Sequence, residues 1–186
     1  VREMLSAQQK NTLSAMTEQT DIMMARSISL SEDITKELNQ CLTANGKTFS
    51  DLNDNPQLIM DLEAALYPSL KSALDVKYCS GVFVVLDATV NTKTEYADTS
   101  RMGIYLRLSD LKAVNTSKQH VVFFRGNADI ARAEQVQLHN RWNLEFDTSA
   151  LPGYEQIMQF DGNRLVESCL WTDRLELSDT WEDVQL

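Results

Sequence analysis

The first third of the chain carries apolar side chains at helical spacing. A stripe with members three or four positions apart runs through Leu13, Met16, Thr20, Met23, Ser27, Leu30, Ile34, Leu38 and Leu42. Such spacing places side chains on one face of an α-helix. No Gly or Pro lies between Val1 and Asn45. The pattern therefore predicts one long helix or two consecutive helices, ending at Asn45-Gly46, where glycine favours a left-handed helix stop.

A further helix is predicted to begin at Asn55-Pro56. Asn accepts hydrogen bonds from the first turn of a helix, and Pro is tolerated at the first helical position. Apolar residues then recur at helical spacing, namely Leu58, Leu62, Ala65, Leu66 and Leu70. Pro68 interrupts this pattern, and we expect it to kink or break the helix because it lacks a backbone N–H.

In the second half of the chain, the residue pattern changes from helical spacing to the runs that are typical of β-strands. Runs of β-branched and aromatic residues predict strands at 81–90, 103–108, 120–126, 142–146 and 164–171, with a short helix at 128–136. The strands are joined by short links or by one helix, without a regular βαβ rhythm. This arrangement predicts an antiparallel sheet with helices packed beside it, in the α+β class.

The composition and the net charge exclude or disfavour some classes of binding partner. The chain has 17 basic and 27 acidic residues, for a net charge of −10, and contains no long basic run. Nucleic-acid affinity depends mainly on Lys and Arg neutralising phosphates, so nucleic acid is excluded as a direct partner. An anionic membrane surface is disfavoured for the same reason. No apolar run reaches the roughly 18 residues that a membrane-spanning helix needs.

The motifs of common catalytic and metal sites are absent from the sequence. His120 and His139 are its two histidines, and neither belongs to a metal-ligand pattern. The nucleophile elbow, the dinucleotide fingerprint and the phosphate loop are also missing. The segment 51–55 has calcium-loop residues without the required Gly and Glu, so we interpret it as a loop and helix cap. We therefore expect no enzymatic activity, no cofactor and no metal.

The cysteines leave the redox compartment open. Cys41, Cys79 and Cys169 are odd in number, and no two of them are spaced as a C-x-x-C pair. They are interpreted either as three small buried hydrophobic residues or as one disulfide with a spare thiol.

Polar groups lie among aromatic residues in the second half, as in many small-molecule pockets. Strand alternation places Arg101, Gly103, Tyr105 and Arg107 on one face of the second strand. The opposite face carries Met102, Ile104, Leu106 and Leu108. The apolar face is suited to the core, whereas the polar and aromatic face is suited either to a ligand or to solvent.

Several segments together resemble a known family. The segments 80–91, 100–107, 138–146, 172–175 and 180–182 are similar to parts of the extracytoplasmic Cache (PDC) sensor domains of bacterial receptors. The resemblance implies a PAS-like fold, with a long N-terminal helix (1–50) followed by a sensor core (51–186). It also implies further strands after 180–182 and membrane attachment through flanking segments outside this chain.

The same resemblance implies the function and the site. Members of the family sense amino acids, organic acids, amines and other small metabolites, although the complete amino-acid-binding motif is not matched here. By analogy, the ligand-binding residues would be Arg101, Tyr105, Arg107, Trp142, Tyr154, Trp171 and Asp173. We thus expect a membrane-receptor sensor domain on the extracytoplasmic side, whose long helix packs on its own domain or on a second copy. The alternative is a non-catalytic protein–protein interaction domain that binds no small molecule.

Overall fold

The computed structural model describes residues 2–75, 79–109, 120–151, 154–159, 174–177 and 182–185. The N-terminal quarter of the chain forms a single helix, α1 (Arg2–Ala44). Gly46 then adopts φ +61°, and the N–H of Lys47 donates to the carbonyl of Leu42 at 2.9 Å. The predicted stop is confirmed, because the left-handed glycine lets the chain turn back and satisfy the last free carbonyls of the helix.

The two halves of α1 have different surroundings. Its C-terminal half packs against the second helix through the predicted stripe, with Ile34 and Leu42 buried. Its N-terminal half is exposed, and there Leu13 and Met16 keep 67% and 59% of their surface in solvent. The stripe thus serves the core over only part of its length.

The second helix, α2 (Pro56–Leu74), begins as predicted, with the Oδ1 of Asn55 accepting the N–H of Leu58 at 3.2 Å. Its apolar face forms the centre of the core. Of the kink or break predicted at Pro68, the break is wrong, because the helix continues to Leu74. Pro68 and Ala64 are both exposed, so water can hydrate the Ala64 carbonyl that the proline leaves without a partner.

Four strands form the main sheet. In spatial order they are β1 (Gly81–Val85), β3 (Gly103–Leu108), β4 (Val121–Arg125) and β5 (Gln137–Asn143). Two further pairs are separate from this sheet: β2 (Ser100–Arg101) with β6 (Phe146–Asp147), and β7 (Arg174–Leu177) with β8 (Glu182–Gln185). A short helix, α4 (Tyr154–Met158), follows β6. The structure is therefore α+β, and the predicted strand at 164–171 lies outside the described residues.

The main sheet is mixed rather than antiparallel. β1, β3 and β4 are antiparallel neighbours, as predicted, whereas β5 runs parallel to β4. The connection between them is α3 (Ala128–Ala133), capped by the side chain of Asn127. This helix carries the chain back along the sheet, so the fold contains one βαβ unit that the irregular spacing of strands did not predict.

The sheet separates two apolar clusters. The larger one, the main core, joins α1, α2 and α3 to one face of the sheet. The smaller one lies on the other face and contains Tyr105, Phe124 and Phe146. We call this other face the aromatic face.

Two further predictions from the sequence concern the state of the cysteines and the absence of a membrane-spanning helix. Cys79 is buried and Cys41 is half-buried, and both are free thiols; Cys169 lies outside the described residues. Within the described ranges, no helix combines the length and the hydropathy needed to cross a bilayer.

Candidate ligand-binding site

Strand β3 divides its side chains between the two faces of the sheet, as alternation predicts. Ile104, Leu106 and Leu108 belong to the main core. Tyr105 belongs to the cluster on the aromatic face, and the Arg107 guanidinium interacts with its hydroxyl. The structure therefore brings together two of the predicted site residues, Tyr105 and Arg107.

Aromatic rings surround Tyr105. Its ring meets that of Phe83 edge to face, with centroids 6.0 Å apart, and lies 5.0 Å from that of Phe124. Phe146 lies 6.1 Å from Phe83, and Phe124 stacks on the imidazole of His139 at 4.0 Å. These contacts build a water-poor wall around the polar groups of this face.

Guanidinium groups from three neighbouring strands gather beside this wall. Arg107 comes from β3, Arg125 from β4 and Arg141 from β5, and all three contribute to the electrostatic environment of His139. The side chains of Arg107 and Arg125 are only 9% and 3% exposed. Arg141 and His139 are half-buried, so they form the edge of the cluster that is nearest to solvent.

A β-bulge brings Arg125 into the cluster. Tyr105 pairs with Arg125 and Leu106 pairs with Phe123, so Phe124 is an extra residue in β4. The bulge places Phe124 and Arg125 together opposite Tyr105. The Nη1 atom of Arg125 then donates to the carbonyls of Phe124 at 2.7 Å and Arg141 at 2.9 Å.

Burial and mutual charge shape the protonation of these groups. Burial raises the pKa of Tyr105, against the opposing effects of Arg107 and Arg125. Burial, followed by the three arginines, lowers the pKa of His139, so its imidazole is neutral at pH 7. Burial also lowers the pKa of Arg125, but a guanidinium keeps its proton at pH 7. The site thus presents permanent positive charge together with neutral hydrogen-bonding rings.

Arg101 and Tyr154 form a neighbouring pair on different elements. The Nε of Arg101 donates to the Oδ1 of Asp87 at 2.6 Å, and its Nη1 donates to the carbonyls of Ala97 and Ser100. Burial and Asp87 raise the pKa of Tyr154, whereas Arg101 lowers it. Arg101 therefore fastens the 97–101 segment, and its ligand-binding role stays a prediction.

Trp142 lies on the other side of the sheet from Tyr105. Its ring packs against the main core, and its Nε1 donates to the carbonyl of Gly126 at 2.9 Å. The other two predicted site residues, Trp171 and Asp173, lie outside the described residues. In the described part of the chain, no three His, Cys, Asp or Glu side chains are placed to hold a metal ion.

No protein family, curated protein or solved structure matches this chain. The candidate site is therefore argued from its own geometry. That geometry adds Arg125, His139 and Arg141 to the predicted residues. In the sequence, the spacing of two between His139 and Arg141 indicates that they share one face of a strand. Arg125 reaches the site only through the β-bulge, which the sequence does not indicate.

Proposed function

We propose that this chain is a small-molecule-sensing module of a bacterial signalling receptor, which binds an anionic metabolite on the aromatic face of its sheet. The observation that supports it most strongly is the convergence of Arg107, Arg125 and Arg141 beside Tyr105 and three phenylalanine rings. A family resemblance in the sequence favours the sensor role and an extracytoplasmic, PAS-like domain.

The charge of the cluster favours carboxylates over amines. An arginine fork matches the two oxygens of a carboxylate and remains protonated at any physiological pH. Because aromatic rings keep water away, each interaction with a bound carboxylate would be stronger than at an open surface.

The fold offers a route for the signal. Tyr105 and Arg107 belong to β3, whose opposite face packs against α2, and α2 packs against α1. A ligand that favours one packing of the sheet shifts the equilibrium by its difference in affinity for the two states. A small displacement of α1 would then carry the change out of the domain.

The first prediction uses two ligands of equal length and opposite charge. In a thermal-shift panel of carboxylates with their amine counterparts, we expect dicarboxylates such as succinate to raise the Tm and 1,4-diaminobutane to leave it unchanged. Replacing half-buried Arg141 by Gln removes a charge-assisted hydrogen bond of about 1.5–3 kcal/mol. The affinity for the best carboxylate should therefore fall by about tenfold or more in calorimetric titration.

The matched control is Arg132→Gln, which removes an exposed arginine from α3 that pairs with Asp129. This variant should bind the carboxylate as the original chain does. The proposal is wrong if no member of a mono-, di- and tricarboxylate panel shifts the Tm, if amines stabilise the protein, or if both arginine variants lose affinity equally.

One observation favours a second function, namely an interaction module. The N-terminal half of α1 exposes Leu13, Met16 and Ile22 on a helix that extends past the core. A second copy of the chain is the simplest partner for this surface. In that case sedimentation velocity should show a dimer that Leu13→Glu dissociates and Lys10→Gln leaves intact, with no carboxylate changing the Tm. A monomer at all concentrations would contradict this alternative.

A further inference from the structure

A cleft separate from the aromatic face lies between α1, α2 and β1. Its volume is about 430 Å³, within the range of small-molecule sites. The wall formed by α1 includes Leu30 and Ile34, α2 contributes Leu70, and β1 contributes Val82 and Val84. These side chains belong to or pack against the main core, so the cleft is an apolar pocket between the long helix and the core face of the sheet.

Among the described residues, Arg26 is the one cation that lines this largely apolar cleft. It is exposed, and it forms none of the ion pairs found among the described residues. No carboxylate lines this cleft in the described part of the chain; Arg26 also borders an adjoining, smaller cleft, which Asp33 lines. Ser27 and Ser31, on the same helix as Arg26, also line the cleft.

We propose that this cleft binds a single-chain amphiphile with an unbranched acyl tail and an anionic carboxylate head. The head would pair with Arg26, and the tail would lie along α1 against Leu30 and Ile34. Arg26 and Ile34 are eight residues apart, or about 12 Å along the helix, a distance that about ten extended carbons span. A neutral apolar molecule would leave Arg26 unused, so an acid fits the lining better.

The length of the acyl tail gives a quantitative first test. Titration calorimetry of the full chain with octanoate and decanoate, each below its micelle concentration, should show saturable binding of one molecule per chain. Burying one methylene strengthens binding about fourfold, so decanoate should bind about 16-fold more tightly than octanoate. Equal affinities for the two acids would show that the tail is not buried and would overturn the proposal.

The head is tested by Arg26→Gln. Arg26 is exposed, so the variant should keep its fold, and because an exposed ion pair contributes up to about 1 kcal/mol, we expect its affinity for decanoate to fall by up to about fivefold. Its affinity for decanol should not change. Arg132→Gln, which alters an exposed residue of α3 that lines neither site, should bind decanoate normally. If it loses as much affinity as the Arg26 variant, the loss does not report on the cleft and the proposal is wrong.

The alkylation rate of Cys79 tests whether decanoate binds in this cleft. Cys79 lines the cleft, and its buried thiol donates to the carbonyl of Gly81 at 3.2 Å. In a Cys41→Ser, Cys169→Ser background, saturating decanoate should slow alkylation of Cys79 by N-ethylmaleimide severalfold. Binding of decanoate without a change in this rate would place the acid outside the cleft.

Discussion

Replacing Glu63 by Gln should stabilise this protein at pH 8 by about 2 kcal/mol or more and leave its stability at pH 4 nearly unchanged. Glu63 lies on α2 with 1% of its surface exposed, and its Oε2 accepts the N–H of Asn127 at 2.8 Å. Burial raises its pKa to about 8, against the lowering effect of the N–H groups of Asn127 and Gly103, and nearby Glu145 adds to the rise.

The direction of this pH dependence follows from the number of protons that the folded and unfolded states bind. Between about pH 4.5 and pH 8 the folded protein keeps a proton on Glu63 that the unfolded chain has lost. Stability contributed by this group is complete below the lower value and is lost as the pH rises toward the higher one, by at most about 1.4 kcal/mol per pH unit. Gln retains the acceptor for Asn127 and has no proton to lose.

The measurement is the free energy of unfolding from denaturant titrations at pH values from 4 to 8.5. Glu134→Gln is the matched control, because Glu134 is exposed and its pairing with Lys71 at 3.7 Å lies at the surface. Its pH profile should parallel that of the original chain. Parallel profiles for the Glu63 variant as well would show that Glu63 is ionised at neutral pH.

Gly103→Ala should destabilise the fold by about 4 kcal/mol or more, enough to leave much of the protein unfolded. Gly103 begins β3 with φ +155°, and an added Cβ would lie 2.0 Å from the carbonyl oxygen of Val84 and 3.0 Å from the ring of Phe146. The first contact is with backbone, which cannot move without separating β1 from β3.

Gly46→Ala is the control for backbone conformation alone. Gly46 has φ +61°, and an added Cβ would meet nothing within 4 Å. Its expected cost is about 1 kcal/mol, from the left-handed conformation only. Equal unfolding midpoints for the two alanine variants in urea would show that the strand contact at Gly103 is not as close as described.

Three helices and three strands of the main sheet could be predicted because each carries a local signal. The apolar stripe and the absence of Gly and Pro gave α1, and the Gly46 stop gave its end. Asn55-Pro56 gave the start of α2. Three predictions of element bounds failed: α2 continues past Pro68, the strand predicted to reach Val90 ends at Val85, and the strand predicted at 142–146 is divided between β5, which ends at Asn143, and β6, which begins at Phe146.

The candidate site was only partly predictable. Alternation in β3 paired Tyr105 with Arg107 correctly, because side chains in a regular strand alternate between faces. It gave no sign that Trp142 would pack into the main core while His139, in the same strand, joined the aromatic face. Arg101 looked like a ligand-binding arginine, and only the structure showed its partners, Asp87 and two carbonyl oxygens.

The sequence by itself determined α1, α2, α3 and the strands β1, β3 and β4, since each carries a pattern within a few positions of the chain, and its composition determined the net negative charge. Tertiary structure decided the parallel return of β5, the bulge that turns Arg125 toward Tyr105, and the burial of Glu63. These features depend on segments far apart in the chain. Spacing and composition do not encode such distances, so the charges that converge on the aromatic face became visible only in three dimensions.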